Sequence, residues 1–405
     1  MDPFKIKEDI IMGKVLEKVK SIEDYLIDMR RHFHMNPELS WEEYETSKKI
    51  QEELENMGIE YEVVLETGII GTIVGNKQGP VIGIRADIDA LPVNEETGLE
   101  FSSKNEGKMH ACGHDAHTAM LLTTGKLLKE MKDELGCIVK LIFQPAEEFI
   151  EDSGAEYMSE LDELKDLDSI VALHIWSDIE SGLISVNSGP RLASADTFEI
   201  EVIGKGGHGA MPHGSVDPVM MSAALISNLQ TLASREYNPM DTFVLSVCTL
   251  DAGTVPNIIP EKVIMEGTTR TFNDEIRDLL EGKMERVIEN TVKTFRGDYK
   301  FKYNYGTPAT INNELASKVA ERAVVNALGE EYLYDYPATM GGEDFAKFLQ
   351  KVPGCFGFLG GRNEEKDQSY AHHNPKFDVD EDAMKNGVAF FIQYVLEMQE
   401  ELKNK

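Results

Sequence analysis

Three apolar runs in the first half of the chain, at 81–88, 137–143 and 170–175, each end on residues that can do chemistry. The first ends on Asp87 and Asp89, the second leads into Gln144, Pro145, Ala146, Glu147 and Glu148, and the third ends near His174. Near-continuous apolar runs suit strands buried on both faces, and a helix-patterned segment over 114–132 separates the first from the second. This strand-helix-strand order predicts an α/β domain with much of its sheet parallel. In such sheets ligand sites gather beyond the carboxyl ends of the strands, and unrelated surface polar residues need not share that edge.

Between the first two runs, residues 109–117 bring together His110, Cys112, Gly113, His114, Asp115 and His117. Thiolate and imidazole are ligands of borderline and soft divalent metals, and Gly113 lets the backbone fold so that Cys112 and His114 face one ion. The bland alternative is a loop at a helix start whose histidines bond backbone carbonyls; one short motif leaves the two about even. Glu147 and Glu148 offer diverging carboxylates, one able to ligate a metal while its neighbour accepts a proton from water. Adjacent glutamates are common on solvated helix faces, but the apolar strand before them favours a site. His174 alone reads as a hydrogen-bonded core histidine, and His372 and His373 before Asn374 and Pro375 read alone as a polar turn.

At 405 residues the chain is long enough for two hydrophobic cores. Apolar spacing predicts a helix over 15–33. Ser40 and Glu43 form a capping-box pattern for a second helix, closing at Gly58. Gly68, Gly71 and Gly75 lack nucleotide-loop spacing and read as hairpin glycines. After Gly189 and Pro190 the texture changes to a β-α-β-β-α order, a two-layer α+β sandwich inserted into the larger domain, and α/β texture resumes with a strand at 301–305. The expected architecture is therefore an α/β catalytic domain with a mostly parallel mixed sheet flanked by helices, in two parts at 1–191 and 305–405, with the inserted sandwich at 192–304.

Composition removes several functions. No apolar run approaches the roughly 20 residues of a membrane helix. Residues 1–9 lead into no signal-type apolar core, which predicts a cytoplasmic location. The four cysteines at 112, 137, 248 and 355 are scattered, as reduced thiols are. A net charge of -32 repels phosphate backbones and anionic lipid, so neither nucleic acid nor membrane is an expected partner.

Taken together, several motifs resemble the di-metal amidohydrolases and metallopeptidases of the aminoacylase and carboxypeptidase type. The branch is that of hippurate hydrolases, indole-acetyl-amino-acid hydrolases and N-acyl-L-amino acid amidohydrolases. The resemblance spans nearly the whole chain and rests on 31–34 with 36–40, 85–92, the Cys112 cluster, 144–148, 206–213, 255–260, 341–345 and 373–375. It implies two divalent metal ions per chain, Zn favoured by sulfur or Mn by carboxylate, held by Cys112, His114, Glu148, His174 and His373. Cys112 would bridge, with His114 and His174 on one ion and Glu148 and His373 on the other. Glu147 would be the general base. Asp89 matches the aspartate that orients a histidine ligand in related branches, while Asp87 stands where those branches place that histidine. The inserted domain resembles the family's lid and dimerisation domain, implying a homodimer in which His208 stabilises the oxyanion and Asn257 contacts substrate. Arg270 is the candidate for gripping the substrate carboxylate, against the alternative of a strand-edge surface charge.

The implied activity is hydrolysis of the amide of an N-acyl amino acid, releasing a carboxylic acid and the amino acid. A carboxypeptidase or dipeptidase would use the same site on a small peptide. Two other classes stay open: a metal-free thiol hydrolase using Cys112 with His114 or His117, and a silent binding protein. Retention of Glu147 beside all five ligand types argues against silence.

Overall fold

A computed structural model describes residues 15–76 and 79–403, so segment 1–9, read above for its lack of a signal core, lies outside the described residues. In chain order the main strands are β1 (Glu60–Val64), β2 (Gly68–Val74), β3 (Val81–Asp87), β4 (Ile138–Gln144), β5 (Ser169–Glu180), β6 (Ile184–Ser185), β7 (Ala195–Ile203), β8 (Phe243–Ala252), β9 (Lys262–Thr271), β10 (Asp298–Thr307) and β11 (Gly354–Arg362). The main helices are α1 (Glu23–Met35), α2 (Tyr44–Met57), α3 (His114–Glu130), α4 (Pro218–Thr231), α5 (Asp274–Thr294), α6 (Glu314–Ala327) and α7 (Met384–Lys403). They divide into two compact units. The first holds the chain up to Arg191, Ile311–Pro337 and the chain from Asp344; the second holds Leu192–Thr310 and Ala338–Glu343.

In the first unit a seven-stranded mixed sheet runs β1-β2-β4-β3-β5-β11-β6. Its four central strands, β4, β3, β5 and β11, are mutually parallel, and antiparallel pairings of β1 with β2, β2 with β4 and β6 with β11 complete it toward the two edges. Every residue of β3 is buried, as a strand covered on both faces requires. Register aligns the chemical ends: Asp87 pairs with Gln144, Arg85 with Ala172, and Phe358 with His174. Helix α3 starts beyond this edge. Gly113, at its N-terminal cap, has φ +93°, and a Cβ there would stand 2.4 Å from Ile175 Cγ2, so only glycine fits this turn.

Local details depart from the expected ones for identifiable reasons. The helix expected over 15–33 is interrupted by a turn at Ser21 and Ile22, where Ser21 Oγ donates to the Lys18 carbonyl and competes with the helical ladder. The capping box is not formed. Ser40 donates instead to Asp89, Glu43 is buried, and the Glu38 carboxylate takes the Glu45 and Thr46 N–H groups at the start of α2. Gly58 does close α2, at φ +64°.

The second unit has a four-stranded antiparallel sheet in the order β8-β9-β7-β10, and its core joins Phe198, Ile200, Val202 and Met265 to Met221 and Leu225 of α4 and Leu280 and Met284 of α5. The strand expected at 301–305 to reopen the α/β domain is instead part of β10, pairing Phe301 with Ile200 and Tyr303 with Phe198. The boundary drawn at 304 therefore cuts a strand, and the second unit continues to Thr310. Among the described residues no helix is long and apolar enough to cross a membrane.

Arg30 of α1 is buried and donates to Asp115 at 3.0 Å, Asp378 at 2.6 Å and Glu381 at 3.2 Å, tying α1 to the first turn of α3 and to the segment ahead of α7. Arg30→Met would leave buried carboxylates without their cation. We expect it to cost about 3 to 5 kcal/mol, the penalty of breaking a buried pair from one side, measured by urea unfolding at pH 7; a loss below about 1 kcal/mol would show that helix packing, not the network, holds these elements.

Candidate metal centre

The residues at the sheet's carboxyl edge converge on Cys112. Ligand-capable atoms of Cys112, His114 and His174 lie within 4.8 Å of one another, and so do those of Cys112, Glu148 and His373. A third such group joins His114, Glu147 and Glu148. Cys112 Sγ is 3.4 Å from His174 Nε2, and Glu148 Oε1 is 3.5 Å from His373 Nε2.

The backbone fixes which imidazole nitrogen faces inward. His114 Nδ1 donates to the Asp89 carbonyl at 2.9 Å and lies 3.2 Å from Asp89 Oδ1; His174 Nδ1 donates to the Ile175 carbonyl at 2.6 Å. Each Nδ1–H is thereby committed to the backbone, turning Nε2 toward the cluster, the arrangement metal-binding histidines need. His114 Nε2 and Glu148 Oε1 are buried without a hydrogen-bond partner among the described residues. Orphaned buried atoms of this kind call for a partner, and a divalent cation with soft and borderline donors around it fits the set.

Electrostatics point the same way. Burial alone would lower His114, yet Asp87 and Asp89 outweigh it and raise its pKa to about 10, so the site attracts positive charge even as a proton. Burial, reinforced by Glu148, Glu147 and Asp87, pushes the Cys112 thiol well above its usual value. A free thiolate is therefore strongly disfavoured without a cation, which weighs against the metal-free thiol reading. His174 is kept neutral, chiefly by burial.

Asp89 has three partners: Ser40 Oγ at 2.7 Å and the Glu148 N–H at 3.0 Å on Oδ2, and His114 on Oδ1. The histidine it orients is thus His114. Asp87 serves a different one, accepting from His117 Nδ1 at 2.6 Å, while His117 Nε2 accepts the Ile175 N–H at 2.8 Å. Arg85 bonds Asp87, Gln144 and Asp344 behind them.

Residues 83–397 match the family model described as peptidase family M20/M25/M40. The chain belongs to this family. It is 40% identical over 381 residues to thermostable carboxypeptidase 2 of Saccharolobus solfataricus, covering 93% of this chain and 96% of that one. It is also 40% identical over 386 residues to an N-acetylcysteine deacetylase of Bacillus subtilis, covering 95% and 99%. A crystal structure of the Bacillus subtilis YXEP protein, a dinuclear metal binding peptidase of the M20 family, matches at a TM-score of 0.82 with 38% identity over 94% of this chain and 99% of that one. The mixed α/β fold is thus that of M20 peptidases, and the chain is a hydrolase of that family.

The remaining expected residues lie in the second unit of this M20 chain. His208 and Asn257 are exposed neighbours: His208 pairs with Ile258, and the Gly209 N–H donates to the Asn257 carbonyl at 2.9 Å. Arg270, on β9, is half-buried and forms no ion pair among the described residues; its pKa is lowered, chiefly by burial. Sequence reasoning did not find the parts played by His117, His372 or Glu43. His372 Nε2 accepts the Ser177 N–H at 3.2 Å and its Nδ1 faces Cys112 Sγ at 3.9 Å. The signal for it was the doubled histidine, in which only one imidazole had been given a use. Glu43 is raised to about 7 by burial and by the nearby Asp89 charge.

The thiols offer a direct check. Cys112, Cys137 and Cys355 are buried and Cys248 is exposed. After chelation, a brief iodoacetamide pulse on the folded protein at pH 8 should label Cys248 first, read by peptide mass spectrometry. Labelling of Cys112 ahead of Cys248 would restore the thiol-nucleophile reading.

Proposed function

We propose that this chain is a metal-dependent amidohydrolase that cleaves the amide between an acyl group and the α-amino nitrogen of an amino acid. The observation that carries the reading is the pair of donor sets sharing Cys112, one completed by His114 and His174 and the other by Glu148 and His373, with Glu147 alongside. A shared thiolate between two such sets suits two divalent ions, Zn by its sulfur and imidazole donors or Mn by its carboxylate. Bound ions would supply Lewis acidity at the scissile carbonyl and acidify the attacking water.

Within that reading Glu147 takes the proton of the attacking water and returns it to the leaving nitrogen. Its support is an Oε2 atom 4.0 Å from His114 Nε2, beside rather than inside the donor sets sharing Cys112. Asp89 keeps His114 oriented. His208 donates to the developing oxyanion, Asn257 contacts substrate beside it, and the unpaired Arg270 guanidinium grips the free carboxylate of the amino acid. A carboxypeptidase or dipeptidase reading has a specific support in the Saccharolobus solfataricus relative, and it leaves the same carboxylate to be held. The four free cysteines, three of them buried, suit the reducing cytoplasm expected from the sequence.

The proposed assembly is a two-fold homodimer in which the second unit, as lid, lends His208 to the partner's site. Met211, Met220, Leu250 and Ile258 of that unit are half or more exposed, apolar side chains of the kind a second copy would cover.

These proposals are tested by substitution, chelation, a substrate panel and chain mixing. Glu147→Gln should keep about two metal ions per chain by elemental analysis while kcat on N-acyl amino acids falls roughly 100- to 10,000-fold; activity that survives exhaustive chelation and dies with a thiol alkylator would sink the metal reading. A panel of N-acetyl, N-benzoyl and longer N-acyl amino acids beside dipeptides separates the two substrate classes. For the assembly, inactive Glu147→Gln chains mixed with inactive His208→Ala chains should regain activity approaching about one quarter of the unaltered enzyme after statistical exchange. Verified exchange with no recovery would show that each site is built from one chain.

A further inference from the structure

The loop ahead of α2 carries a motif that the chemistry above leaves unused, and its Glu43 is buried among three hydrogen-bond donors from three parts of the chain. Glu43 Oε1 accepts the Ala146 N–H at 2.9 Å and the Trp41 N–H at 3.0 Å, and Oε2 accepts the Thr67 hydroxyl at 2.9 Å. Ala146 has φ +51°, a left-handed conformation that alanine keeps only when its surroundings hold it. Its carbonyl is also fixed, accepting the Gly154 N–H at 3.0 Å. Trp41, itself at φ +64°, braces the same region by donating its indole N–H to the Asp152 carbonyl at 2.8 Å.

Ala146 is the residue before Glu147, and the N–H of Glu148 is held by Asp89 on the other side. The backbone of Glu147 is thus clamped at both neighbours, by one buried carboxylate each. We infer that Glu43 is a positioning residue: by holding the Ala146 N–H it keeps the left-handed turn that aims the Glu147 carboxylate at the reacting atoms. The inference rests on Glu147 being the general base. A side chain whose direction is set by a turn loses reach when the turn relaxes, and a displacement near 1 Å at a reacting group can cost on the order of 100-fold.

The test is a double-mutant comparison on the metal-loaded full chain, with metal content and melting temperature measured on every variant. Glu43→Ala should lower kcat by roughly 10- to 100-fold with KM and metal content little changed. In the Glu147→Gln background the same change should cost less than about twofold, because the group it aims is already gone. Glu43→Gln, whose amide oxygen can still take both backbone N–H groups, should recover most of the loss. If Glu43→Ala multiplies the Glu147→Gln penalty by its full factor, or lowers metal content in step with activity, Glu43 acts through stability or the metal and the inference is overturned. Should Glu43→Ala not fold, Glu43→Asp, which withdraws the carboxylate by one methylene, carries the same comparison. A Glu147→Gln chain as active as the unaltered enzyme would overturn the base assignment itself, and with it this inference, an outcome distinct from multiplying penalties.

Discussion

The site depends on the buried carboxylate of Asp89. One oxygen takes the Ser40 hydroxyl and the Glu148 N–H, the other lies against His114 Nδ1, so a single side chain joins the α2 approach, the glutamate turn after β4 and the first residue of α3. Burial would raise its pKa, but His114, Ser40 and the Glu148 N–H together hold it below the ordinary carboxylate range. It therefore stays an acceptor, which is the state all three partners need. Asp89 sits just past β3, a strand buried along its whole length, and the rigidity of the sheet passes to the site through it.

Around that anchor the structure concentrates more negative charge than its own cations balance. Asp87 is met by Arg85 and His117, and Asp89 by hydrogen bonds, while Glu148 and the Cys112 sulfur have only histidine rings beside them among the described residues. Burial, with Glu148, Glu147 and Asp87 behind it, makes the Cys112 thiol resist losing a proton, and Asp87 and Asp89 make the His114 imidazole resist giving one up against the pull of burial. A divalent ion would relieve both, since it favours the thiolate and displaces the imidazolium proton. The acidity of the chain as a whole does not bear on this, because most of its charge is solvated at the surface and screened within about 10 Å.

Elements whose identity is set by local pattern were legible in the sequence. The buried strands announced themselves as apolar runs, and the residues at their ends met in space because parallel strands share an edge. Glu43 was not legible: with Ser40 it matches a capping box, and only the fold shows its carboxylate taken by Thr67 and Ala146, 24 and 103 positions away. The pairing of 301–305 was hidden for a similar reason, since an alternating strand fits any sheet edge and the choice of β7 is made by tertiary packing. Asp89 meets a histidine as expected, but that Asp87 meets His117 was not legible, because which of His114 and His117 meets which carboxylate depends on the phase of α3 beyond Gly113, where the chain passes close to Ile175.

The names of the relatives differ in substrate, a carboxypeptidase on one side and a deacetylase of N-acetylcysteine on the other, yet the two activities share a leaving group. Each releases an amino acid with a free carboxylate, so a site built to hold that carboxylate serves both, and the acyl side is where they must differ. In this chain the first unit sets aromatic rings beside the donor cluster: Trp176 lies 5.5 Å from His174 and 4.9 Å from His372, and its indole N–H donates to Tyr336 at 3.0 Å. Both Trp176 and Tyr336 are only half-buried. A half-exposed indole offers flat and apolar groups a face to stack on, and the same face attracts a cation, so these rings suit an acyl group and the charged amine of a second amino acid alike, and the proposed reading and its peptidase alternative share this wall as they share the leaving group.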